Sequence, residues 1–84
     1  MRLRRSEIST RAIDGETIIL DLRDSRYLSV TGVGTRIVEL LATDTTLDEM
    51  VTTIADEYDS ELTPVRADAQ RFVEQLRGAG LLES

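Results

Sequence analysis

Two hydrophobic periods divide the chain. Up to Val30 the apolar residues tend to fall at alternate positions, the period of a strand with one buried face. After Thr31 they recur at i, i+3, i+4 and i+7, the period of an amphipathic helix.

The strand-like part breaks into three runs. Ile8–Ile13 alternates weakly and ends at Asp14-Gly15, a hairpin signal because glycine accepts positive φ without steric cost. Thr17–Leu22 is rich in β-branched residues, and Ile18, Leu20 and Leu22 share one face. Polar Arg23-Asp24-Ser25 reads as a second turn. Arg26–Val30 then places Leu28 and Val30 on one face, Tyr27 and Ser29 on the other. Short turns between consecutive strands predict an antiparallel meander.

Three helices follow. Thr31 is the expected N-cap of the first, with Val33, Ile37, Val38, Leu40 and Leu41 as its buried stripe; Gly32 and Gly34 weaken its first turn. Thr46-Leu47-Asp48-Glu49 fits a capping box, and Leu47, Met50, Val51, Ile54, Ala55 and Tyr58 continue the second helix at helical spacing. Thr63 as cap and Pro64 at the first helical position open the third, whose stripe is Val65, Ala69, Phe72, Val73 and Leu76. Gly78 and Gly80 can end it, and Leu81-Leu82 are expected to fold back onto the core. The predicted class is α+β: a three-stranded antiparallel meander followed by a three-helix bundle, in one domain over residues 1–84.

Composition then removes whole classes of chemistry. The chain of 84 residues contains no cysteine and no histidine, which excludes disulfides, thiol nucleophiles, imidazole bases and the usual zinc sites. No catalytic residue, metal site or cofactor is expected. The apolar runs are too short for a membrane span or a signal h-region, so a cytoplasmic protein is the default expectation. All ten basic residues are arginine. The net charge of −6 is uneven: residues 1–36 carry +2 and residues 37–84 carry −8. An acidic helical half argues against a nucleic-acid surface, which needs clustered positive charge, and a solvated acidic face accounts for most of it. Asp48-Glu49 and Asp56-Glu57 have nothing to orient them as a catalytic pair, and Gly32-Val33-Gly34 lacks the spacing and lysine of a phosphate loop.

In a meander the outer strands each keep one unpaired row of N–H and C=O groups. The first strand region has Arg2, Arg4, Arg5, Glu7 and Arg11 for protection. The third has only Arg26, before uncharged Tyr27-Leu28-Ser29-Val30. That edge is either open to an added peptide strand or covered by a helix or the C-terminal tail; the pattern leaves both open.

The order of motifs resembles the PqqD-like family, the RiPP recognition elements. The residues are Leu28-Ser29-Val30-Thr31-Gly32 after the third strand, Thr46-Leu47-Asp48-Glu49 opening the second helix, Tyr58 ending it, Gly80-Leu81-Leu82 after the third, and the Asp14-Gly15 hairpin. Ser29 stands where many relatives carry asparagine. The resemblance covers essentially the whole chain and implies a winged helix–turn–helix-like fold without catalysis of its own. It also implies that the leader segment of a ribosomally made precursor peptide adds to the third strand, in the cleft beside the third helix. Among members the chain looks most like the standalone type of lasso peptide biosynthesis. That implies a cysteine-type leader peptidase as partner and, further along, a lasso cyclase. A peptide chaperone for a radical SAM enzyme is the neighbouring reading, and a winged-helix DNA binder the alternative from another class. The third helix offers the latter only Arg66, Arg71 and Arg77 against Asp68 and Glu74.

On this reading Arg26, Tyr27, Leu28, Ser29 and Val30 form the peptide-binding edge. Asp68, Ala69, Phe72 and Leu76 share one broad face of the third helix by i, i+1, i+4, i+8 spacing. Ala69 is small enough to let a peptide approach, Phe72 offers an aromatic wall, and Asp68 could hold a basic or hydroxyl group. The plainer alternatives are that Phe72 and Leu76 are core, that Tyr27 packs on the outer face of the sheet, and that Asp68 is a solvated acid.

Overall fold

In the computed structural model, which describes residues 1–83, the chain opens with a two-residue strand, β1 (Arg2–Leu3). The meander follows as β2 (Ile8–Ile13), β3 (Glu16–Asp21) and β4 (Arg26–Thr31), in that spatial order and antiparallel throughout. Asp14 and Gly15, at φ 50° and 78°, make the tight turn between β2 and β3, so both central residues take the left-handed conformation that suits the strand twist. The helices are α1 (Val33–Leu40), α2 (Leu47–Glu57) and α3 (Leu62–Gly78). A last short strand, β5 (Leu82–Glu83), pairs antiparallel with β1, Leu3 opposite Leu82. The α+β class and the meander-then-bundle order follow the sequence pattern; the β1–β5 pair was not expected from it.

The face assignment in β3 needs correction. Ile18 and Leu20 do share a face, but it is the outer one, and both are only half-buried; Leu22 lies beyond the strand and is exposed. The face toward the helices carries Thr17, Ile19 and Asp21, all buried. Asp21 tolerates burial because the Arg4 guanidinium donates to it at 2.7 Å, and the Arg23 N–H donates at 3.1 Å. Arg4 also donates to the carbonyls of Gly80 and Ser6, at 2.6 and 3.0 Å. One buried side chain thus ties the N-terminal arm, the β3 end and the end of α3.

Helix termini differ from expectation at two places. Thr31 belongs to β4, and Gly32 occupies the N-cap of α1 at φ 62°, ψ −137°, with no side-chain cap. Helix α3 begins at Leu62 with Glu61 as N-cap, so Pro64 sits third rather than first; its missing N–H still falls within the first turn, where no intrahelical acceptor exists. At α2 the Thr46 hydroxyl accepts from the Glu49 N–H at 3.2 Å, as the capping pattern predicts. The end of α3 is a Schellman motif. Gly80, at φ 75°, donates to Arg77 O at 3.0 Å, and Leu81 donates to Leu76 O at 3.0 Å. That turn drops Leu81 into the core.

The core lies between the inner face of the sheet and the three helices. Ile19, Ile37, Leu41, Met50, Val51, Ile54 and Leu76 are almost wholly buried in it. Each such aliphatic side chain contributes roughly 1.5–3 kcal/mol of burial. The expected stripes hold except that Val33 and Tyr58 are exposed, while Leu40, Leu47, Val65 and Phe72 are half-buried. Arg36 binds Glu57 through two hydrogen bonds, at 2.9 and 2.8 Å, pinning α1 to the end of α2.

Candidate functional site

Strand β4 pairs with β3 along its whole length, from Asp21 opposite Arg26 to Glu16 opposite Thr31. Among the described residues no strand, helix or tail hydrogen-bonds its other side as a ladder. In an antiparallel ladder alternate residues turn their N–H and C=O outward, so about half of the peptide groups of β4 face away from the sheet. Thr35 Oγ1 donates to the Val30 carbonyl at 3.4 Å, a local tie to α1.

Helix α3 runs beside this edge, and two hollows lie between them. The larger has a volume of about 600 Å³ and is lined by Ser29, Val30, Gly34, Ile37, Arg71 and Phe72, among others. The smaller, about 220 Å³, is lined by Ile19, Arg26, Tyr27, Leu28, Ala79 and Leu81, among others. Gln75 borders both, so they form one trough that follows β4 from Arg26 to Thr31. Gly34 makes room for it. A Cβ there would meet Val30 Cγ1 at 2.6 Å and the Phe72 ring at 3.4 Å, so only glycine lets α1 start this close to β4 and α3.

The predicted residues divide between trough and core. Arg26, Tyr27 and Leu28 line the smaller hollow; Ser29, Val30, Asp68 and Phe72 line the larger. Tyr27 is 74% exposed, on the outer face of the sheet rather than in the core. Phe72 packs against the core cluster and also walls the larger hollow. Ala69 and Leu76, at 1% and 0% exposure, are core residues of α3 and line neither hollow. The broad face assumed for α3 is therefore too broad: i+1 and i+8 from Asp68 turn inward, while i+3, i+4 and i+7 look into the trough. Arg71 and Gln75 are at those missed positions, and one-turn spacing from Asp68 and Phe72 was the signal that pointed to them. Val33, Gly34 and Ile37 were read only as helix residues, although they form the wall contributed by α1.

Polar groups around the trough are mostly paired. Asp68 accepts from Arg71, and the Ser29 hydroxyl donates to Glu16 across the β3–β4 ladder. The Arg4 hydrogen bond holds the Asp21 carboxyl below its usual range, and the Arg36 fork does the same for Glu57. Among the described residues no group of histidine, cysteine or acidic side chains is arranged to hold a metal ion. Among the described residues no helix is long and apolar enough to cross a membrane. What the site offers is a row of backbone donors and acceptors beside an apolar trough of about strand length. That combination suits an extended peptide: the backbone row bonds any sequence, and the hollows select alternate side chains.

Comparison with known proteins agrees with this geometry. A family model described as coenzyme PQQ synthesis protein D (PqqD) matches residues 16–82. A solved structure described as TbiB1 in complex with the TbiA(beta) leader peptide is 30% identical and superposes with a TM-score of 0.89, over 100% of this chain and 96% of that chain. A second, described as lasso peptide synthetase B1 complexed with the leader peptide, is 26% identical with a TM-score of 0.83, over 99% of this chain and 96% of that chain. No curated protein sequence matches.

Proposed function

The chain belongs to the PqqD family, as a RiPP recognition element, and we propose that it binds the leader segment of a ribosomally synthesised precursor peptide by strand addition to β4 and delivers it to a separate leader peptidase of lasso peptide biosynthesis. The observation that carries this reading is the unpaired β4 edge facing the trough along α3. Two structural relatives described as leader-peptide complexes support it. Arg26, Tyr27, Leu28, Ser29 and Val30 form the receiving edge; Asp68 and Phe72, joined by Arg71 and Gln75, form the opposite wall. Catalysis resides in the partner, and the protein raises the local concentration of leader at that enzyme.

A peptide chaperone for a radical SAM enzyme would use the same edge, and only the neighbouring genes separate the two. DNA binding by α3 is disfavoured. Arg66 pairs with Asp48 at 2.6 Å and Arg71 pairs with Asp68, which leaves Arg77 as the one unpaired cation of that helix among the described residues.

The test is a titration with a labelled cognate leader peptide. Saturable binding at micromolar concentration is expected. Single N-methyl groups placed along the leader should weaken binding at every second residue, because only alternate N–H groups face β4. Absence of saturable binding, or an N-methyl profile without that alternation, overturns strand addition.

A further inference from the structure

Tyr58 ends α2 and belongs to the motif series read from the sequence, yet its role is neither core nor trough. Its side chain is 49% exposed. It walls a third hollow of about 190 Å³, together with Ile54, Ser60, Pro64 and Val65, in the groove between α2 and the first turns of α3. Val33 and Asp68 line both this hollow and the larger one of the trough. The three cavities therefore follow one path: along β4, past the Val33–Asp68 sill, and out between α2 and α3. The exposed apolar residues Val33, Tyr58 and Leu62 mark the same end of the molecule.

A segment of β4 length fills the trough alone. A longer extended segment must leave the sheet at Thr31, and the third hollow lies where it leaves. Its apolar floor and its size suit one aliphatic or aromatic side chain. Its lip is acidic: Asp59 and Glu61 flank Ser60, both exposed and in no ion pair among the described residues. Glu57 and Asp68, by contrast, are committed to Arg36 and Arg71.

We infer that the Tyr58 hollow is a further subsite for the bound peptide, taking an apolar side chain from the part of the segment that lies beyond the strand-paired stretch and next to a lysine or arginine. The inference rests on the leader-binding reading above. Strand addition supplies affinity that is blind to sequence, whereas this subsite recognises a side chain with no backbone ladder beside it. It also lengthens the recognised segment by the few residues needed to cross from Thr31 to Pro64.

The test pairs protein variants with trimmed peptides. The labelled leader, extending three residues past the strand-paired stretch at each end, is titrated against wild type, Tyr58→Ala and Ser60→Trp. The first variant removes the wall; the second fills the hollow from an exposed loop position without removing core packing. Melting curves confirm that each is folded. Wild type is expected to bind, both variants to bind the full peptide about tenfold more weakly, and trimming one end to weaken wild type by a similar factor. The losses should not add when variant and trimmed peptide are combined, because both delete the same contact. Asp59→Asn with Glu61→Gln should weaken the full peptide a few-fold at low salt and hardly at all at high salt. Variants that bind full and trimmed peptides as wild type does, or losses that add, overturn the subsite while leaving strand addition intact. A wild type that binds no leader at all overturns both.

Discussion

The meander has two free edges, and only one has the makings of a site. Strands β2 and β4 are both outer strands, equally long and equally unpaired on their outer sides. Their backbones offer a guest the same bonds. What separates them lies beside the backbone. Along β4 runs α3, with hollows of about 600 and 220 Å³ between them. Beside β2 lies only a smaller hollow of about 200 Å³, confined to its Ile8–Thr10 end and lined also by Leu3, Leu41 and Ala42; beyond it Arg11, Ala12 and Ile13 are exposed. An edge is thus a source of hydrogen bonds, each worth only about 1 kcal/mol net in water. A walled edge adds apolar burial and shields those bonds, and that addition turns a sticky strand into a selective one.

The harshest challenge to this contrast is proline. Substituted one at a time at Tyr27, Leu28, Ser29 and Val30, proline removes either a β3–β4 bond or an outward N–H, in alternation. Variants of the second kind should melt near the wild type, because edge strands tolerate proline there, and should lose leader affinity by about a hundredfold or more. The same scan at Ser9, Thr10, Arg11 and Ala12 should leave binding unchanged in every variant that folds. Equal losses on both strands would show that the wall is irrelevant.

The wall itself comes next. Phe72→Ala removes the aromatic surface of the larger hollow and leaves the β4 backbone untouched. Leader affinity should fall more than about tenfold, as for a buried aromatic anchor. The protein should lose less than the roughly 3–5 kcal/mol of a wholly buried phenylalanine, since Phe72 is only half-buried. Titration and denaturant melts together separate the two effects; an affinity loss no larger than that of an exposed β2 substitution would deny Phe72 a part in recognition.

A smaller effect is expected from acid. Asp21 lines the Arg26 end of the trough and is held there by Arg4. The folded-state pKa of Asp21 lies below its ordinary value, chiefly through the Arg4 hydrogen bond. The pair therefore stabilises fully above the ordinary carboxylate range, and its contribution is lost as pH falls through that range to the lowered folded value. Glu57 acts in the same direction through Arg36. Asp21→Asn should lower the melting temperature at neutral pH and make the acid decline below about pH 5 shallower. An acid limb parallel to that of wild type would mean that Asp21 contributes nothing to it.

How much of this was legible beforehand follows from the range of each interaction. The pattern left open whether the third strand was free or covered, but the meander and the capped second helix were readable because period, turn chemistry and capping act over a few residues. The buried face of β3 was not. Ile18, Leu20 and Leu22 outweigh Thr17, Ile19 and Asp21 in hydropathy, and Asp21 goes inside only because Arg4, far back in the chain, meets it there. The β1–β5 pair is too short to show a period. In the site, the uncharged run Tyr27–Val30 marked β4 as a candidate edge, whereas Ala69 and Leu76 turn into the core, because helical spacing gives a face and not its width. Gly34 read as a defect in α1 until the approach of Val30 and Phe72 gave it a purpose.

The least disruptive substitution draws the finest line between the edges. Arg11 is the only charged residue within β2, and Arg26 the only one within β4, so charge alone cannot rank the two strands. Arg11→Thr keeps a β-compatible residue, makes β2 uncharged, and should leave stability within about 0.5 kcal/mol of wild type. If the wall is what matters, leader affinity stays within about twofold and one leader still binds per chain. The newly bare β2 edge should show itself only as weak self-association at high protein concentration, because a second copy brings the backbone bonds but no side chain that a hollow would select. Sedimentation and the stoichiometry of the titration measure both outcomes. A second bound leader in the Arg11→Thr protein would mean that the arginine, rather than the absence of a wall, had kept β2 unoccupied.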